Sequence, residues 1–255
     1  MFIKSTDTVS TSGSTLVLPS VSIGNVPQLC ADLLINTLQA LRVGIIHSPS
    51  LMPISGSSGF DHLPNQRSVP LEVYQTADAK WTIVQQRSPP LAKHHKLFAQ
   101  EIMQFIEQGG FSRVILLTSS DAALRVDELI DGPQMRAITV NWEDQALAAR
   151  LQSMALGPLC PSQAVGISAG SELLPLKQLH AAGVAKPLLK LCQASKVPVV
   201  ALVALVYEGD NVHDAINMAN AVNALLEIVP AAEKWSPPKS WQWLMAADGA
   251  PRELF

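Results

Sequence analysis

The hydrophobic positions along the chain form two patterns, short apolar runs and longer stretches in which apolar residues recur at helical spacing. The short runs predict β-strands, at Thr15–Pro19, Val43–His47, Val69–Gln75, Lys80–Gln86, Arg113–Leu117, Met135–Val140 and Val197–Val206. Helical spacing predicts helices over 26–41, through Lys96 to Ile106 up to Gly109-Gly110, and over Glu143–Met154, Lys186–Ala194 and His213–Ile228. Because strands and helices alternate, we expect an α/β fold, a three-layer α/β/α sandwich with a mostly parallel central sheet.

The pattern also divides the chain. A single α/β domain is predicted for 15–230, with no internal repeat. Residues 1–14 are rich in Ser and Thr, which predicts a disordered N-terminal segment. Residues 231–255 carry Trp235, Trp241 and Trp243 without a regular pattern, so we expect an irregular C-terminal tail that lies on the surface or on a partner.

Composition narrows the class of function. Charged residues make up 15% of the chain, against about 25% in typical soluble domains. Such a surface fits a large protein interface, although a weakly charged monomer is equally compatible. The net charge of −3 and the absence of a basic run argue against nucleic acid. The longest apolar run has about half the length that a bilayer-spanning helix requires, and the N-terminus shows no signal-peptide pattern. We therefore expect the protein to be located in the cytoplasm and the nucleus.

The residues that most often bind metals or react are scattered. Cys30, Cys160 and Cys192 show no C-x-x-C spacing, which predicts reduced, structural thiols. His47, His62 and His180 have no acidic or cysteine neighbours at ligand spacing, and His94-His95 is predicted to lie on an exposed helix face, so neither a metal nor a cofactor is expected.

The turn after the first strand is the first candidate anion site, because a capped helix begins there. Asn25 is predicted to be the N-cap, with Gln28 at the capping-box position. Gly24 stands alone, however, and Pro27 removes one N–H donor. The sequence therefore favours tight packing of strand against helix over phosphate binding.

A second motif, Gly166 to Gly170, matches the G-x-S-x-G nucleophile elbow with Ser168 at its centre. Its context is poor, because no oxyanion loop is evident and the later acid and base, Asp210 and His213, lie within one helical turn. A serine hydrolase of the α/β type remains an alternative.

The third motif is Tyr207 to Asn211, at the carboxyl end of the last strand, where α/β sheets place ligands. The carboxylates of Glu208 and Asp210 could bind Mg²⁺ or transfer protons. The interpretation favoured here is structural, with Gly209 forming the turn and Asp210 or Asn211 capping the next helix. A small-molecule binding module is the other alternative.

The chain ends on Glu253, Leu254 and Phe255. Two large apolar residues with a terminal carboxylate suit insertion into a pocket lined by Lys or Arg. Folding back on the chain's own domain is equally compatible with the sequence.

Five segments in order resemble the proteasome assembly chaperone 2 family. They are "LVLPSVSIGNVPQLCADLLINTL" from Leu16, "IVQQRSP" from Ile83, "AKPLLKL" from Ala185, "VYEGDN" from Val206, and Ser240-Trp241 before the terminal Leu254-Phe255. The resemblance implies an α/β/α fold without enzymatic activity. It also implies a heterodimer with proteasome assembly chaperone 1, which holds α subunits of the 20S proteasome while the α ring forms and prevents off-pathway dimerisation of α rings.

The same resemblance implies candidate partner-binding residues. The family's C-terminal tails dock between α subunits through a hydrophobic residue, a tyrosine and a final residue, whereas this chain has Glu253, Leu254 and Phe255 and so lacks the tyrosine. The rim near the opening turn would face the partner chaperone. The full set of candidates is Gly24, Asn25, Glu208, Gly209, Asp210, Asn211, Glu253, Leu254 and Phe255.

Overall fold

A computed structural model describes residues 1–6, 8–154, 156–158, 174–230 and 234–242. The strands are β1 (Phe2–Lys4), β2 (Thr15–Pro19), β3 (Leu41–Ile46), β4 (Gly56–Ser57), β5 (Arg67–Ser68), β6 (Leu71–Gln75), β7 (Trp81–Gln86), β8 (Arg113–Asp121), β9 (Met135–Val140), β10 (Gly157–Pro158) and β11 (Val199–Val206). The helices are α1 (Val26–Thr37), α2 (His95–Gly109), α3 (Gln145–Ser153), α4 (Leu174–Lys177), α5 (Ala185–Ala194) and α6 (Val212–Leu226).

Within the described residues, nine strands form one mixed sheet in the order β1-β3-β6-β7-β2-β8-β11-β9-β10. The core is parallel, because β2 pairs in parallel with β7 and β8, and β8 pairs in parallel with β11. The flanks are antiparallel, since β6 and β7 form the predicted hairpin and β9 runs against β11. The predicted α/β fold with a parallel core is confirmed, and the short turn between β6 and β7 accounts for their antiparallel pairing.

Helices cover both faces of this sheet. On one face α2 packs against α5, and on the other α1 packs against α6, with α3 beside it. The cover on both faces explains why the sequence of β11 is apolar throughout. Val199, Ala201, Val203 and Leu205 belong to the core under α2 and α5, and the alternating residues Val200, Leu202, Ala204 and Val206 belong to the core under α1 and α6. A strand covered on both faces has no polar side to expose.

The helix bounds agree with the predicted ones within a few residues, but β8 extends to Asp121, beyond the predicted end at Leu117. The extra residues Thr118, Ser119 and Ser120 are polar and yet fully buried. Their hydroxyl groups find hydrogen-bond partners inside the protein, so the strand continues where its hydrophobic pattern stops.

The N-terminal segment differs from the predicted disorder. Phe2–Lys4 forms the edge strand β1, antiparallel to β3. The Phe2 ring packs edge-on against Phe105 of α2, with 5.3 Å between centroids. This pairing requires a glycine at position 44, because a Cβ there would lie 2.5 Å from the carbonyl oxygen of Ile3. Residues 2–4 are held by contacts with residues distant in sequence.

Two of the three cysteines lie in the described residues, and both Cys30 and Cys192 are buried free thiols, as predicted. Burial raises the pKa of Cys192 to about 12 and raises that of Cys30 further. Both side chains therefore act as small hydrophobic groups. Within the described part of the chain, no helix has the length and apolarity needed to cross a bilayer.

Candidate partner-binding surface

The three strands β2, β8 and β11 are mutually parallel, so their carboxyl ends meet at one edge of the sheet, here called the carboxyl edge. The chain leaves this edge through residues 20–25, through a short helical turn at Ala122–Leu124, and through 207–211. Ligands of α/β sheets bind at such edges. Two of the stretches singled out from the sequence lie here.

Those two stretches are in contact. A Cβ built on Gly24 would lie 2.6 Å from Nδ2 of Asn211, and Gly24 has a φ of +69°. The amide of Asn211 is buried and donates to the carbonyl oxygens of Tyr207 at 3.0 Å and Gly209 at 3.1 Å. Gly24 therefore allows the turn after β2 to pack on the loop after β11, which agrees with packing as the favoured role.

The predicted caps differ in detail. Asn25 occupies the N-cap position of α1, but it adopts φ +54° and makes no side-chain cap hydrogen bond. Its Oδ1 instead accepts a hydrogen bond from Gln28 Nε2 at 3.2 Å. Before α6, Asp210 Oδ1 accepts from the backbone N–H of Val212 at 3.1 Å, whereas Asn211 makes no capping bond. Asn25 is thus the N-cap residue of α1 as predicted but makes no side-chain capping bond, and of the two residues predicted to cap α6 it is Asp210 that binds a backbone N–H of the first turn.

Buried hydroxyl groups hold the inside of the carboxyl edge together, and no pattern along the chain predicts this. The hydroxyls of Ser22 and Ser119 lie 2.7 Å apart, and Ser119 Oγ donates to the carbonyl oxygen of Ile23. Ser20 Oγ donates to the carbonyl oxygen of Ala182 and accepts from the N–H of Val184.

Two further hydroxyls fasten the same covering segment. Thr118 Oγ1 donates to the carbonyl oxygen of Ala182 at 3.2 Å, and Ser120 Oγ accepts from the N–H of His180 at 2.8 Å. A Cβ on Gly183 would lie 2.0 Å from the carbonyl oxygen of Val21. Residues 178–184 are thus fixed across the edge. Each of these hydroxyls is engaged in structural bonds.

The outer surface of the carboxyl edge exposes large apolar side chains. Tyr207 and Leu124 are each 57% exposed, Ile130 is 49% exposed, and Val126 is 37% exposed. They lie on loops brought together by β8, β11 and the start of β9, since the N–H of Leu205 donates to the carbonyl oxygen of Gln134. Apolar groups on neighbouring loops are typical of protein-binding surfaces.

Carboxylates surround these apolar groups. Asp121, Asp127, Asp131, Glu208, Asp210 and Asp214 follow or flank the same loops. Burial raises the pKa of Asp214, and the neighbouring carboxylate of Asp210 acts in the same direction. Within the described residues, no group of three or more His, Cys, Asp or Glu side chains could hold a metal ion.

Two open grooves flank this edge. One of about 460 Å³ is lined by Arg125, Gln134, Tyr207, Asp210 and Asp214. The other, of about 530 Å³, is lined by Val21, Ile23, Ala181, Lys186 and Glu208. Glu208 lines both grooves, and Glu208 and Gly209 are exposed. Of the candidates at this edge, Asn25, Glu208, Gly209 and Asp210 are exposed, whereas Gly24 and Asn211 are buried and contact each other.

Comparison with known proteins assigns the chain to a family. The profile described as "PAC2 family" matches residues 16–234. The chain belongs to the PAC2 family. Full-length relatives named proteasome assembly chaperone 2 include one from Danio rerio, 33% identical over 264 aligned positions that cover 100% of both chains. Another, from Nematostella vectensis, is 34% identical and covers 85% of this chain and 91% of its own. The Homo sapiens relative is 27% identical over 95% of both.

Solved structures agree with this PAC2-family assignment at the level of the fold. Pyrococcus furiosus PbaB, described as an archaeal proteasome activator, superimposes with a TM-score of 0.61 at 16% identity and covers 90% of each chain. Pyrococcus furiosus PbaA, described as an archaeal homolog of proteasome-assembly chaperone, gives 0.60 at 14% identity over 88% of this chain and 82% of its own.

Several candidates lie outside the described residues of this PAC2-family chain. They are the tail residues Glu253, Leu254 and Phe255, the motif Gly166 to Gly170 with Ser168, and Cys160.

The exposed apolar groups Leu124, Val126 and Ile130 were missed by the sequence analysis. The sequence feature that could have indicated them is the segment 121–131, where apolar residues are interspersed with acidic ones between two strands.

Proposed function

We propose that this chain is a proteasome assembly chaperone that acts as a heterodimer with proteasome assembly chaperone 1. The heterodimer holds α subunits of the 20S proteasome while the α ring forms, and it prevents off-pathway dimerisation of α rings. The observation that carries the proposal is the PAC2-family match over 16–234 together with full-length relatives that bear this name. We propose the cytoplasm and the nucleus as its locations.

The carboxyl edge supports a function carried out by binding alone. Its exposed Tyr207 and Leu124 offer apolar contact area, and its buried serines are already engaged in the bonds that fix residues 178–184. We therefore place the chaperone partner against this edge, with the exposed residues Asn25 and 208–210 at the centre of the contact and the buried contact of Gly24 with Asn211 beneath them. Leu254 and Phe255 provide the second contact, with the α ring.

Co-expression with proteasome assembly chaperone 1 of the same organism, followed by affinity capture, tests the proposal. We expect capture of the sister chaperone together with free α subunits. Recovery of mature 20S particles only, or of neither partner, would contradict the proposal.

A matched pair of variants tests the surface. Tyr207→Ser removes an apolar side chain that is 57% exposed at the carboxyl edge, and Leu41→Ser removes one that is 55% exposed in β3, after the far end of α1. We expect Tyr207→Ser to weaken capture of the sister chaperone about tenfold, which corresponds to the 1 to 2 kcal/mol of a well-packed aromatic contact. Leu41→Ser should leave capture unchanged. Equal effects of the two variants would place the interface elsewhere.

A further inference from the structure

Residues 122–134, here called the arch, connect β8 to β9 across the carboxyl end of β11. In the sheet β11 lies between these two strands, and its last residue, Val206, pairs with Asp121, the last residue of β8. Strand β9 runs in the opposite direction and begins beside the end of β11. The arch must therefore cross β11 where Tyr207 leaves the sheet, and the groove lined by Arg125 and Tyr207 lies between the two segments.

The arch is fastened to the body of the protein at several points. The side chain of Leu129 is fully buried in the core under α2 and α5. Nη1 of Arg125 donates to Oε1 of Gln134 at 2.9 Å, which joins the two ends of the arch. Nη2 of Arg136 in β9 donates to the carbonyl oxygen of Asp131 at 3.2 Å. The arch therefore holds its exposed side chains in fixed positions over the end of the sheet.

These exposed side chains form an apolar patch together with the residue that follows β11. The apolar patch consists of Leu124, Val126, Ile130 and Tyr207, which are 37 to 57% exposed. Removal of apolar surface from water is the dominant favourable contribution to most protein association. The apolar patch therefore favours a protein partner that covers it.

The negative charge of the chain is concentrated around this patch. Segments 121–134 and 207–214 together hold seven of the 21 Asp and Glu residues of the chain but only one of its 18 Lys and Arg residues. Their formal net charge is thus −6, whereas the whole chain has −3. The remainder of the chain is net positive, so the carboxyl edge carries a local negative field that the net charge of the chain conceals.

The carboxylates of this edge have no cation of their own in the described part of the chain. The acidic rim, as it is called here, consists of Asp121, Asp127, Asp131, Glu208, Asp210 and Asp214, and none of the six forms a salt bridge with a described residue. Two cations line the adjoining grooves, Arg125, which donates to Gln134, and Lys186 at the start of α5. Six carboxylates against these two cations attract Lys and Arg side chains of a partner.

We propose that the acidic rim and the apolar patch together select a partner face with an apolar centre and Lys and Arg side chains around it, and that the sister chaperone presents this face. The inference rests on the proposed function, which places the sister chaperone at the carboxyl edge. It adds the chemistry by which that partner is recognised.

The same charge acts against other occupants of the edge. In a symmetric dimer of this chain through the apolar patch, each acidic rim would meet an identical one, and like charges across an interface oppose binding. Nucleic acids and anionic lipid surfaces are repelled for the same reason. The acidic rim thus favours the heterodimer over a pair of identical chains.

Recognition by charge makes association sensitive to salt. Complementary charges across an interface raise the association rate at low ionic strength, and the Debye length falls from about 30 Å at 0.01 M to about 3 Å at 1 M. We therefore expect the association rate constant of the two chaperones to fall at least about tenfold over this range.

The experiment measures the association rate constant of the purified full-length chain with immobilised sister chaperone at ionic strengths of about 0.02 M and about 1 M. The test variant combines Asp131→Lys with Glu208→Lys, because both residues are exposed members of the acidic rim and surface substitutions seldom change stability. Thermal melting confirms that the variant is folded. Sedimentation of the chain without its sister reports any self-association, and we expect a monomer at low salt.

The matched control combines Glu107→Lys with Glu143→Lys, which changes the net charge equally at two exposed positions. Glu107 lies in the last turn of α2, beside the start of β2, since Thr11 Oγ1 donates to the carbonyl oxygen of Gly109. Glu143 follows the end of β9, which pairs with Val199, the first residue of β11. Both control positions therefore lie at the opposite end of the sheet from the carboxyl edge.

At about 0.02 M we expect the test variant to associate at least about tenfold more slowly than the unmodified chain, and the control to stay within about twofold. At about 1 M all three should agree within about twofold. Carbodiimide crosslinking, which joins carboxylates to amines in direct contact, should link Asp131 or Glu208 to lysines of the sister chaperone.

Equal association rates of the test variant and the control, with the sister chaperone still captured, would overturn the inference and leave the proposed function intact. A chain that dimerises by itself, and that Tyr207→Ser returns to the monomer, would make a second copy the occupant of the edge and overturn the inference as well. Failure of the unmodified chain to bind its sister chaperone would overturn both proposals.

Discussion

The substitution Asp32→Ala tests the buried ion pair between Asp32 and Arg87, to which the Trp241 indole is hydrogen-bonded. The Asp32 carboxylate is 7% exposed and accepts hydrogen bonds from Gln85, from both terminal nitrogens of Arg87, and from Trp241. Removal of the carboxylate leaves the Arg87 guanidinium with Glu72 as its only acidic neighbour in the described residues, at 4.0 Å. The free energy of unfolding should fall because this charge stays buried without its closest partner.

The magnitude can be estimated from the geometry. Breaking a buried pair by removing one partner costs about 3 to 5 kcal/mol. Arg87 keeps Glu72 and its side chain is 21% exposed, so we expect the low end, about 3 kcal/mol. For a chain of this length that corresponds to a fall in Tm of roughly 6 to 12 °C.

Urea unfolding followed by tryptophan fluorescence, together with calorimetry, measures this change. The control is Lys80→Ala, which breaks an exposed pair with Asp78 at 3.2 Å and leaves the turn hydrogen bonds of Asp78 in place, and it should change stability by no more than about 0.5 kcal/mol. In a double-mutant cycle, Asp32→Ala with Arg87→Met should lose less stability than the sum of the single variants, by at least about 1 kcal/mol. A loss below about 1 kcal/mol for Asp32→Ala, or strict additivity in the cycle, would refute the reasoning.

Three further predictions concern other parts of the chain. Gly24→Ala places a Cβ 2.6 Å from Asn211 Nδ2 at a φ of +69°. It should therefore lower the free energy of unfolding in urea by about 1 to 3 kcal/mol and weaken capture of the sister chaperone. Unchanged stability together with unchanged capture would argue against this packing. Hydrogen bonds from the backbone of α3 and the nearby Arg113 lower the pKa of the Asp144 carboxyl from its ordinary value of 3.8. The stability it contributes is therefore complete above that value and lost as pH falls through the lower folded value, so Asp144→Ala should cost about 1 kcal/mol near neutral pH and progressively less as the pH falls below 3.8. A cost that does not shrink on acidification would contradict the prediction. Burial raises the pKa of the Cys30 and Cys192 thiols, so iodoacetamide at pH about 8 should label these two residues only after unfolding. Peptide mass spectrometry measures the labelling, and labelling of either residue in the native protein would show that it is accessible.

The apolar patterns determined the elements of this fold. Strand β2 lies at the bounds that its apolar run predicts, and α2 ends at the predicted Gly109-Gly110, with Gly110 in the left-handed conformation. The continuous run of β11 indicated a strand buried on both faces, because local sequence reports how many sides of an element meet solvent. Family membership also followed from ordered segments of the sequence.

Tertiary structure decided what lies beside what. No local pattern marks Phe2 as part of a strand, since its partners on β3 and α2 are distant in sequence. No local pattern predicts the contact of Gly24 with Asn211 either. Nor does one predict the ion pair of Asp32 with Arg87, in which Asp32 also accepts a hydrogen bond from the Trp241 indole. A polar side chain is buried only when its partner arrives from another element. The sequence therefore determines the elements and their buried faces. The polar contacts that fix the carboxyl edge and Trp241 exist only once the sheet and helices have packed.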